Sequence, residues 1–578
     1  MLTAAAMRAR RVLAAVLACV GVALCGSSAA PSQVRISLGD ASDELRVSWA
    51  TELPTAASVV QYAPLAGRRR LRTSATASAS SSAVAANATA TDADARTATG
   101  VQWRFAASPT RSIMLHQARA RSRLRVSRQR RAQRAFRSRA QPRFLQRSTA
   151  PPPPTQATLR GLQAGASYAY RVGGGDPFSW SPRFVLRAPR PRDDDIAPLR
   201  LLAFCDAGEV DGARTAALDA AALDAETGAY DALLHCGDFA YDLESDGGRT
   251  GDRFLSAMQP LTASLPYLVS PGNHEQAANF SAFRNRFAGM PGSAASESLY
   301  WSADIGPLHL VSYNTEVYFV RALVMDIALL PACANSRALS ISLPQWPKHF
   351  GYEHAAQQHA WLAADLAAAD ANRDAVPWVV VTGHRPMYCV ATGGDGRCDA
   401  EHEASRQGTM MECSSVDGHL CWRRDAAKAL PELSVEALMQ QHGVDVAIFG
   451  HVHAYARHWP VFAEHTLASG PDAYTDPPGT VHFLTGAGGN PEMKLGDLPP
   501  PMGPCSAPWC AFQAGYAPKP GQSADYSYSR VTVPNATHLR WEQVSGTLGD
   551  VIDDVWLVRS GGVPAFGSGA SARRRRVS

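Results

Sequence analysis

Past residue 25 the chain offers no run of about twenty apolar residues, the length a helix needs to cross a bilayer, so a membrane protein built on helical spans is not expected. Charged residues are only 19% of the chain and hydrophobic ones 46%, which argues against wholly disordered or collagen-like polymers. Acids almost vanish between Gly67 and Ala150, where Asp92 and Asp94 face 19 arginines, a segment charge of +17. Because the whole chain carries +5, everything outside that segment carries −12. Setting aside Arg8, Arg10, Arg11 and the run Arg573–Arg576 leaves about −19 on the body expected to fold, so the overall pI near 8.6 misdescribes it. With 578 residues, and about 150 per domain, there is room for roughly four domains.

The chain begins with three arginines before Val12, an uncharged apolar stretch Val12–Cys25, and the small residues Ser28, Ala29 and Ala30. This is the pattern of a secretory signal peptide over residues 1–30, and about 14 apolar residues are too few for a spanning helix. A secreted protein, or one in the lumen of a lysosome- or vacuole-type compartment, is expected, with candidate N-glycosylation at Asn87, Asn279 and Asn535. Of 11 cysteines, Cys19 and Cys25 leave with the leader. Cys505, Cys510, Cys389, Cys398, Cys413 and Cys421 lie in Gly/Pro/Ser-rich stretches, where an oxidising compartment favours disulfides. Cys205 and Cys236 instead end apolar runs and read as small buried hydrophobes.

Short β-rich runs (VRISLG, ELRVSWA, SVVQYA, then ATLRGL, SYAYRV and RFVLRA) describe a small β-sandwich over residues 31–188. Its halves are separated by 67–154, Ser/Ala/Thr-rich, then Arg-rich, then four prolines, which reads as a disordered insertion. So basic a segment is a candidate polyanion binder, with a solvated loop as the competing reading. Residues 189–198 read as a linker, 199–562 as the main domain, and 563–578 as a disordered basic tail. From Leu199 onward, apolar runs alternate with alanine-rich helical stretches, which implies an α/β sheet; later runs lack helices between them and suggest an antiparallel finish.

Polar clusters follow five of those runs: Asp206 after LLAFC, Gly237-Asp238-Phe239-Ala240-Tyr241 after ALLHC, Gly272-Asn273-His274-Glu275 after YLVSP, His384 after VVVTG, and Gly450-His451-Val452-His453 after VAIF. Ligands of α/β sheets bind at the carboxyl ends of strands, so the clusters should converge on one rim. Oxygen and imidazole donors without thiolate suit Fe, Mn or Zn rather than a structural zinc site. Seven donors (Asp206, Asp238, Tyr241, Asn273, His384, His451 and His453) are enough for two ions sharing one carboxylate, the arrangement used for in-line phosphoryl displacement.

In this order, CDAG, GDFAY, GNHE, VTGH and GHVH resemble the purple acid phosphatases, within the calcineurin-like metallophosphoesterases. VRISLGD and RVSWATE resemble that family's front domain, NTEVYF and GHRPMYC its longer animal and microbial members, and NATHLRWEQVS its closing strands. The resemblance implies a metallophosphoesterase β-sandwich flanked by helices, behind a fibronectin-III-like all-β domain. It further implies a ferric ion on Asp206, Tyr241 and His453, a divalent Zn, Fe or Mn on Asn273, His384 and His451, and Asp238 bridging. His274 resembles the family's substrate-contacting histidine, able to stabilise developing charge or protonate the leaving alkoxide. The implied activity is acid phosphatase: hydrolysis of phosphate monoesters by a metal-bound hydroxide, acting on phosphorylated small molecules or phosphoproteins, with no specific nucleic acid partner. Phosphodiesterase or phytase-like specificity on the same centre is the alternative, and a polymer-binding glycoprotein with a silent phosphatase domain is another. Where the family usually has glycine, this chain has Cys205, expected just behind the metal. Arg385, Tyr455 and Arg457 are further candidates to line the site, with ordinary ion pairing as the competing reading, while His235, His309 and His482 sit within strand runs and read as core residues.

Overall fold

The computed structural model describes residues 30–40, 44–51, 55, 57–65, 96–108, 111–122, 157–174, 180–189, 198–208, 214–321, 352–388, 403–416, 419–489, 507–514 and 526–561. The leader, the basic tail, most of the linker and most of the insertion, together with Asn87, Cys389, Cys398 and Cys505, lie outside them.

The front unit is all-β: Ser32–Leu38 (β1), Glu44–Thr51 (β2), Ser58–Pro64 (β3), Arg96–Ser108 (β4), Arg111–Ser122 (β5), Ala157–Leu162 (β6), Ser167–Gly173 (β7) and Phe184–Arg187 (β8). They run in the order β1-β2-β5-β4-β3-β7-β8, with β6 parallel to β5. Alternate residues Val34, Ile36, Val47, Trp49, Val60, Tyr62, Tyr170 and Val172 are buried as its core. Here the expectation of a disordered 67–154 is corrected, because β4 and β5 fall inside it and pair antiparallel with β3 and β2. The arginine content hid a period-two apolar pattern, Val101, Trp103, Phe105 and then Ile113, Leu115, that marks a hairpin.

The main unit is built from two sheets. Its strands are Leu199–Phe204 (β9), Ala232–Cys236 (β10), Tyr267–Ser270 (β11), Trp301–Ile305 (β12), Leu308–Ser312 (β13), Phe319–Arg321 (β14), Trp378–Thr382 (β15), Thr409–Val416 (β16) and His419–Ala429 (β17). There follow Val446–Phe449 (β18), Tyr455–His458 (β19), Val461–Phe462 (β20), His465–Thr466 (β21), Val481–Thr485 (β22), Cys510–Ala514 (β23), Ser527–Val533 (β24), His538–Ser545 (β25) and Val551–Val558 (β26). One sheet has the order β11-β10-β9-β24-β25-β26 and the other β12-β13-β15-β18-β22-β19-β23; β14, β16 and β17 form a small third sheet, and β20 with β21 a two-stranded ribbon. β9, β10 and β11 are parallel, as are β13, β15, β18 and β22, and these strands are buried almost throughout, which is why they read as unbroken apolar runs. The antiparallel finish is present in β24–β26, and β26 alternates buried and exposed residues because one face meets water.

Face-to-face contacts join the two sheets: Phe483 stacks on Trp541 at 3.9 Å, Trp301 Nε1 donates to Val269 O at 2.7 Å, and the Ser270 and Ser312 hydroxyls meet at 2.7 Å. The helix Arg249–Thr262 covers the first sheet and also holds the front unit, since Gln259 Oε1 accepts from Val34 N and the Thr262 hydroxyl donates to Val34 O.

On the second sheet the helix Tyr352–Asp370 is fastened by His309, whose ring nitrogens lie 2.6 Å from Asp304 and 2.9 Å from Asp365. Burial disfavours the imidazolium, yet the Asp365 and Asp304 carboxylates more than offset it and raise the pKa to about 9. The pairing therefore stabilises the fold fully below the ordinary value of 6.5, and its contribution is lost as pH rises through about 9. His309→Gln is expected to cost on the order of 3 kcal/mol in urea unfolding near pH 6 and far less near pH 10. An equal cost at both would contradict the ion-pair account.

Candidate metal centre

All seven candidate ligands sit where a strand of either sheet ends: Asp206 beyond β9, Asp238 and Tyr241 beyond β10, Asn273 beyond β11, His384 beyond β15, and His451 and His453 beyond β18. Four of them, Asp206, Asp238, Tyr241 and His451, have positive φ angles of 57°, 54°, 46° and 68°. Such backbones persist in non-glycine residues only when their surroundings over-determine them. The surroundings are backbone hydrogen bonds between neighbouring loops: Asp206 N to Gly237 O, Ala207 N to Asp238 O, Gly208 N to Phe239 O and Gly450 N to His384 O.

Two groups of donors result. Tyr241 Oη lies 3.4 Å from Asp206 Oδ1 and 3.2 Å from His453 Nε2, which is itself 3.5 Å from Asp206 Oδ1. Beside them, His384 Nε2 is 3.1 Å from Asn273 Oδ1 and 3.2 Å from Asp238 Oδ2, and Asp238, His384 and His451 each bring a ligand atom within 4.8 Å of the others. The groups are joined through the backbone: His451 N donates to Asp206 Oδ2 at 2.8 Å. The His384 Nδ1–H donates to Cys236 O at 3.0 Å, which leaves the Nε2 lone pair facing the other donors. A Cβ at Gly237 would strike His384, one at Gly272 would strike Asp238, and one at Gly450 would strike Asp206, so the three motif glycines are space for ligand side chains. Burial opposes a charged Asp238, but His384 and its fellow imidazoles hold the carboxyl well below the usual range; without cations, Asp238 with Asp206 raises His384 to about 10 against its burial, and the proton this places on Nε2 is the one a cation there would displace. A buried group of anionic oxygens and one-sided imidazoles fits two hard or borderline cations.

His274 lies over this rim. Its backbone N donates to Asp238 Oδ1 at 3.0 Å, its ring packs 4.5 Å from that of Tyr241, and its Nδ1 is 2.6 Å from Asp242 Oδ1. Sequence reasoning missed Asp242, one residue beyond GDFAY, and gave Glu275 of GNHE no role. Glu275 is wholly buried and accepts from Asp238 N, Phe239 N and Gly272 N at 2.9, 3.0 and 2.8 Å. Of the further candidates, Arg385 reaches the site, with Nη1 3.0 Å from His451 Nε2. Tyr455 and Arg457 do not; both bond Asp553 in the interior, where Arg457 holds a two-point ion pair. His235 and His482 are buried as expected. The reading of Cys205 and Cys236 as separate buried hydrophobes is corrected: they face each other across β9 and β10, with Cα atoms 4.7 Å apart, and form a disulfide, so no free thiol stands behind Asp206. Cys510 is also disulfide-bonded. Among the sequons, Asn279 is only 7% exposed, which leaves little room for a glycan, whereas Asn535 is exposed.

Comparison with known proteins defines the class first. The profile described as calcineurin-like phosphoesterase matches residues 211–455, flanked by the purple acid phosphatase N-terminal domain over 31–188 and the iron/zinc purple acid phosphatase-like C-terminal region over 479–554. Relatives named acid phosphatase type 7 are 35% identical in Homo sapiens over 71% of this chain and 77% of theirs, and 34% identical in Danio rerio over 69% and 76%. A purple acid phosphatase from yellow lupin seeds shares the fold at a TM-score of 0.57 and 17% identity, covering 94% of this chain and 76% of that one. The chain belongs to the purple acid phosphatase family, and it is a phosphatase with a dinuclear metal centre.

Replacing Glu275 by alanine would strand three buried N–H groups, so Glu275→Ala is expected to lose at least about 3 kcal/mol in denaturant unfolding and to weaken metal retention. Unchanged stability with full metal content would show that the carboxylate does not hold the loops.

Proposed function

We propose that this chain is a secreted or lumenal acid phosphatase that hydrolyses phosphate monoesters, with Fe(III) on Asp206, Tyr241 and His453, a divalent Zn, Fe or Mn on Asn273, His384 and His451, and Asp238 between them. The observation that carries this reading is the pair of oxygen–imidazole groups beside one buried carboxylate, with a phenol in only one of them. A phenol ionises readily beside a trivalent cation and is a hard anionic donor, which favours iron on the Tyr241 side. When bound, the two cations supply Lewis acidity toward phosphate oxygens and lower the pKa of water.

The chain's own residues supply the rest. Asp242 accepts from His274 Nδ1–H and fixes the ring, which leaves Nε2 turned toward the site, 3.9 Å from Asp238 Oδ2. Burial disfavours the imidazolium, but without cations the Asp242 hydrogen bond and the Asp238 charge raise its pKa to about 9; with cations on Asp238, the Asp242 hydrogen bond remains to favour a proton on Nε2 at acid pH. From there it can pass to the departing ester oxygen, or hydrogen-bond the charge that builds on phosphorus-bound oxygens. Secretion is supported by the leader-like residues 1–30 and by the exposed sequon at Asn535. No helix among the described residues is long and apolar enough to cross a membrane.

The first test is hydrolysis of an aryl phosphate by the purified protein from acid to neutral pH. Activity is expected to peak at acid pH and to vanish, with metal binding, in Asp238→Ala; an active, metal-free Asp238→Ala protein would sink the proposal. His274→Asn should lower kcat about 100-fold for an alkyl phosphate, whose leaving group needs the proton, and less for a nitrophenyl ester, with metal content unchanged. Equal losses on both esters would exclude proton donation by His274.

A further inference from the structure

We infer that Asn535 carries an N-linked glycan whose first sugar rings lie on Trp556, so that the indole is a stacking platform for the chain's own carbohydrate. The inference rests on the secreted or lumenal reading above, because such glycans are added along that route. The sequon Asn535-Ala536-Thr537 lies in the turn between β24 and β25, with Asn535 exposed. Its amide oxygen is committed: Asn535 Oδ1 accepts from Thr537 N, the Thr537 hydroxyl and His538 N, each at 2.9 Å. The backbone is pinned as well, since Trp378 Nε1 donates to Asn535 O at 3.0 Å. The turn is thereby fixed, and Nδ2 is the side-chain atom left at its exposed edge. Attachment joins Nδ2 to C1 of an N-acetylglucosamine, breaks the C1–O bond to a polyprenyl diphosphate donor, and releases one Nδ2 proton.

The neighbouring sheet face carries an aromatic ring that the core does not use. Along β25, Leu539 and Trp541 are buried while His538 and Arg540 are half-buried; along β26, Val555 and Leu557 are buried and Trp556 is 43% exposed. His538 pairs with Val558 and Arg540 with Trp556, which makes His538 and Trp556 diagonal neighbours on the outer face. Their rings stand at 77° with centroids 6.0 Å apart, and the Arg540 guanidinium carbon lies 5.6 Å from the indole centroid. Arg540 is held in turn by Asp554 at 2.7 Å and Glu542 at 3.2 Å, so the indole is braced while much of its surface still meets water. His538 links tether to platform, because its backbone N bonds Asn535 Oδ1 and its ring meets Trp556. A pyranose presents C–H groups on its faces and hydroxyls on its rim. The C–H face suits the electron-rich face of an indole, and the half-exposed Asp554 carboxylate is an acceptor for rim hydroxyls. A covalent tether so near supplies the sugar at high effective concentration, so weak stacking suffices.

The full chain is produced in a eukaryotic secretory host, and hydroxyl-radical labelling read by peptide mass spectrometry is compared before and after an N-glycanase removes the glycan. That enzyme leaves aspartate at the attachment position, which keeps the oxygen acceptor of the turn. The expected result is a glycan on the Asn535 peptide and labelling of Trp556 about twofold slower while it is present, with Trp361, on the helix Tyr352–Asp370, labelled equally in both. Trp556→Ala should in addition speed release of the Asn535 glycan from the native protein severalfold. Equal labelling of Trp556 with and without the glycan overturns the inference, and so does a bare Asn535 in protein whose residues 1–30 have been removed. A chain that keeps residues 1–30 and carries no glycan fails the lumenal reading and this inference with it, a result distinct from a processed chain with Asn535 bare.

Discussion

Three backbone N–H groups meet on one carboxylate at Glu275, and the centre depends on that junction. By accepting from Gly272, Asp238 and Phe239, the side chain ties the turn after β11 to the turn after β10. Asp238 is thereby held in its left-handed backbone with its carboxylate beside His384 Nε2, and Asn273 Oδ1 is carried to the same ring nitrogen. Burial raises the Glu275 pKa to about 8, with the Asp238 charge adding to it, while the N–H donors pull the other way. An arrangement that buries a second carboxylate beside Asp238 is costly unless each lone pair is used. A cation held by Asp238 would relieve the same repulsion, so folding of the turns and metal binding would favour one another.

The two sheets explain why the donors fall together at all. β9, β10 and β11 in one sheet and β15 and β18 in the other present their carboxyl ends to one rim, and contacts such as Cys205 N to Thr485 O lock the sheets in register there. The Cys205–Cys236 disulfide adds a covalent tie between the strands that deliver Asp206 and Asp238. Precision at the rim therefore rests on buried β-structure together with the Glu275 junction that ties the turns.

Much of this was legible in the chain. Strands covered on both faces have to be apolar throughout, so their ends were marked by the first polar residue, and Asp206, Asp238, His384 and His451 stood there. What escaped was information that lives between elements. Nothing local distinguishes Asp242, which orients His274, from a surface aspartate, nor Arg385, which reaches the centre, from Arg457, which pairs with Asp553 in the interior. Composition misled outright over 96–122, where arginines masked alternating apolar residues in β4 and β5. Cys205 and Cys236 were individually ordinary, and only the parallel register of β9 and β10 makes them partners.

Charge placement gives the remaining step. Outside the leader, residues 67–150 and the tail the chain carries about −19, and the five arginines of β4 and β5 bring the folded part to about −14, while its phosphate ester substrate enters a rim lined with Asp206, Asp238, Glu275 and Glu316. Beyond roughly 8–10 Å salt screens the body's repulsion, so the balance is settled inside that radius. Within it, Asp206 and Asp238 lie beside the imidazoles of His453 and His384, Glu316 pairs with Arg385, Asp242 pairs with His274, and Glu275 is met by backbone N–H groups. The imidazole of His274 and the guanidinium of Arg385 thus stand beside carboxylates that offset their charge, so positive groups at the rim coexist with a strongly negative body elsewhere.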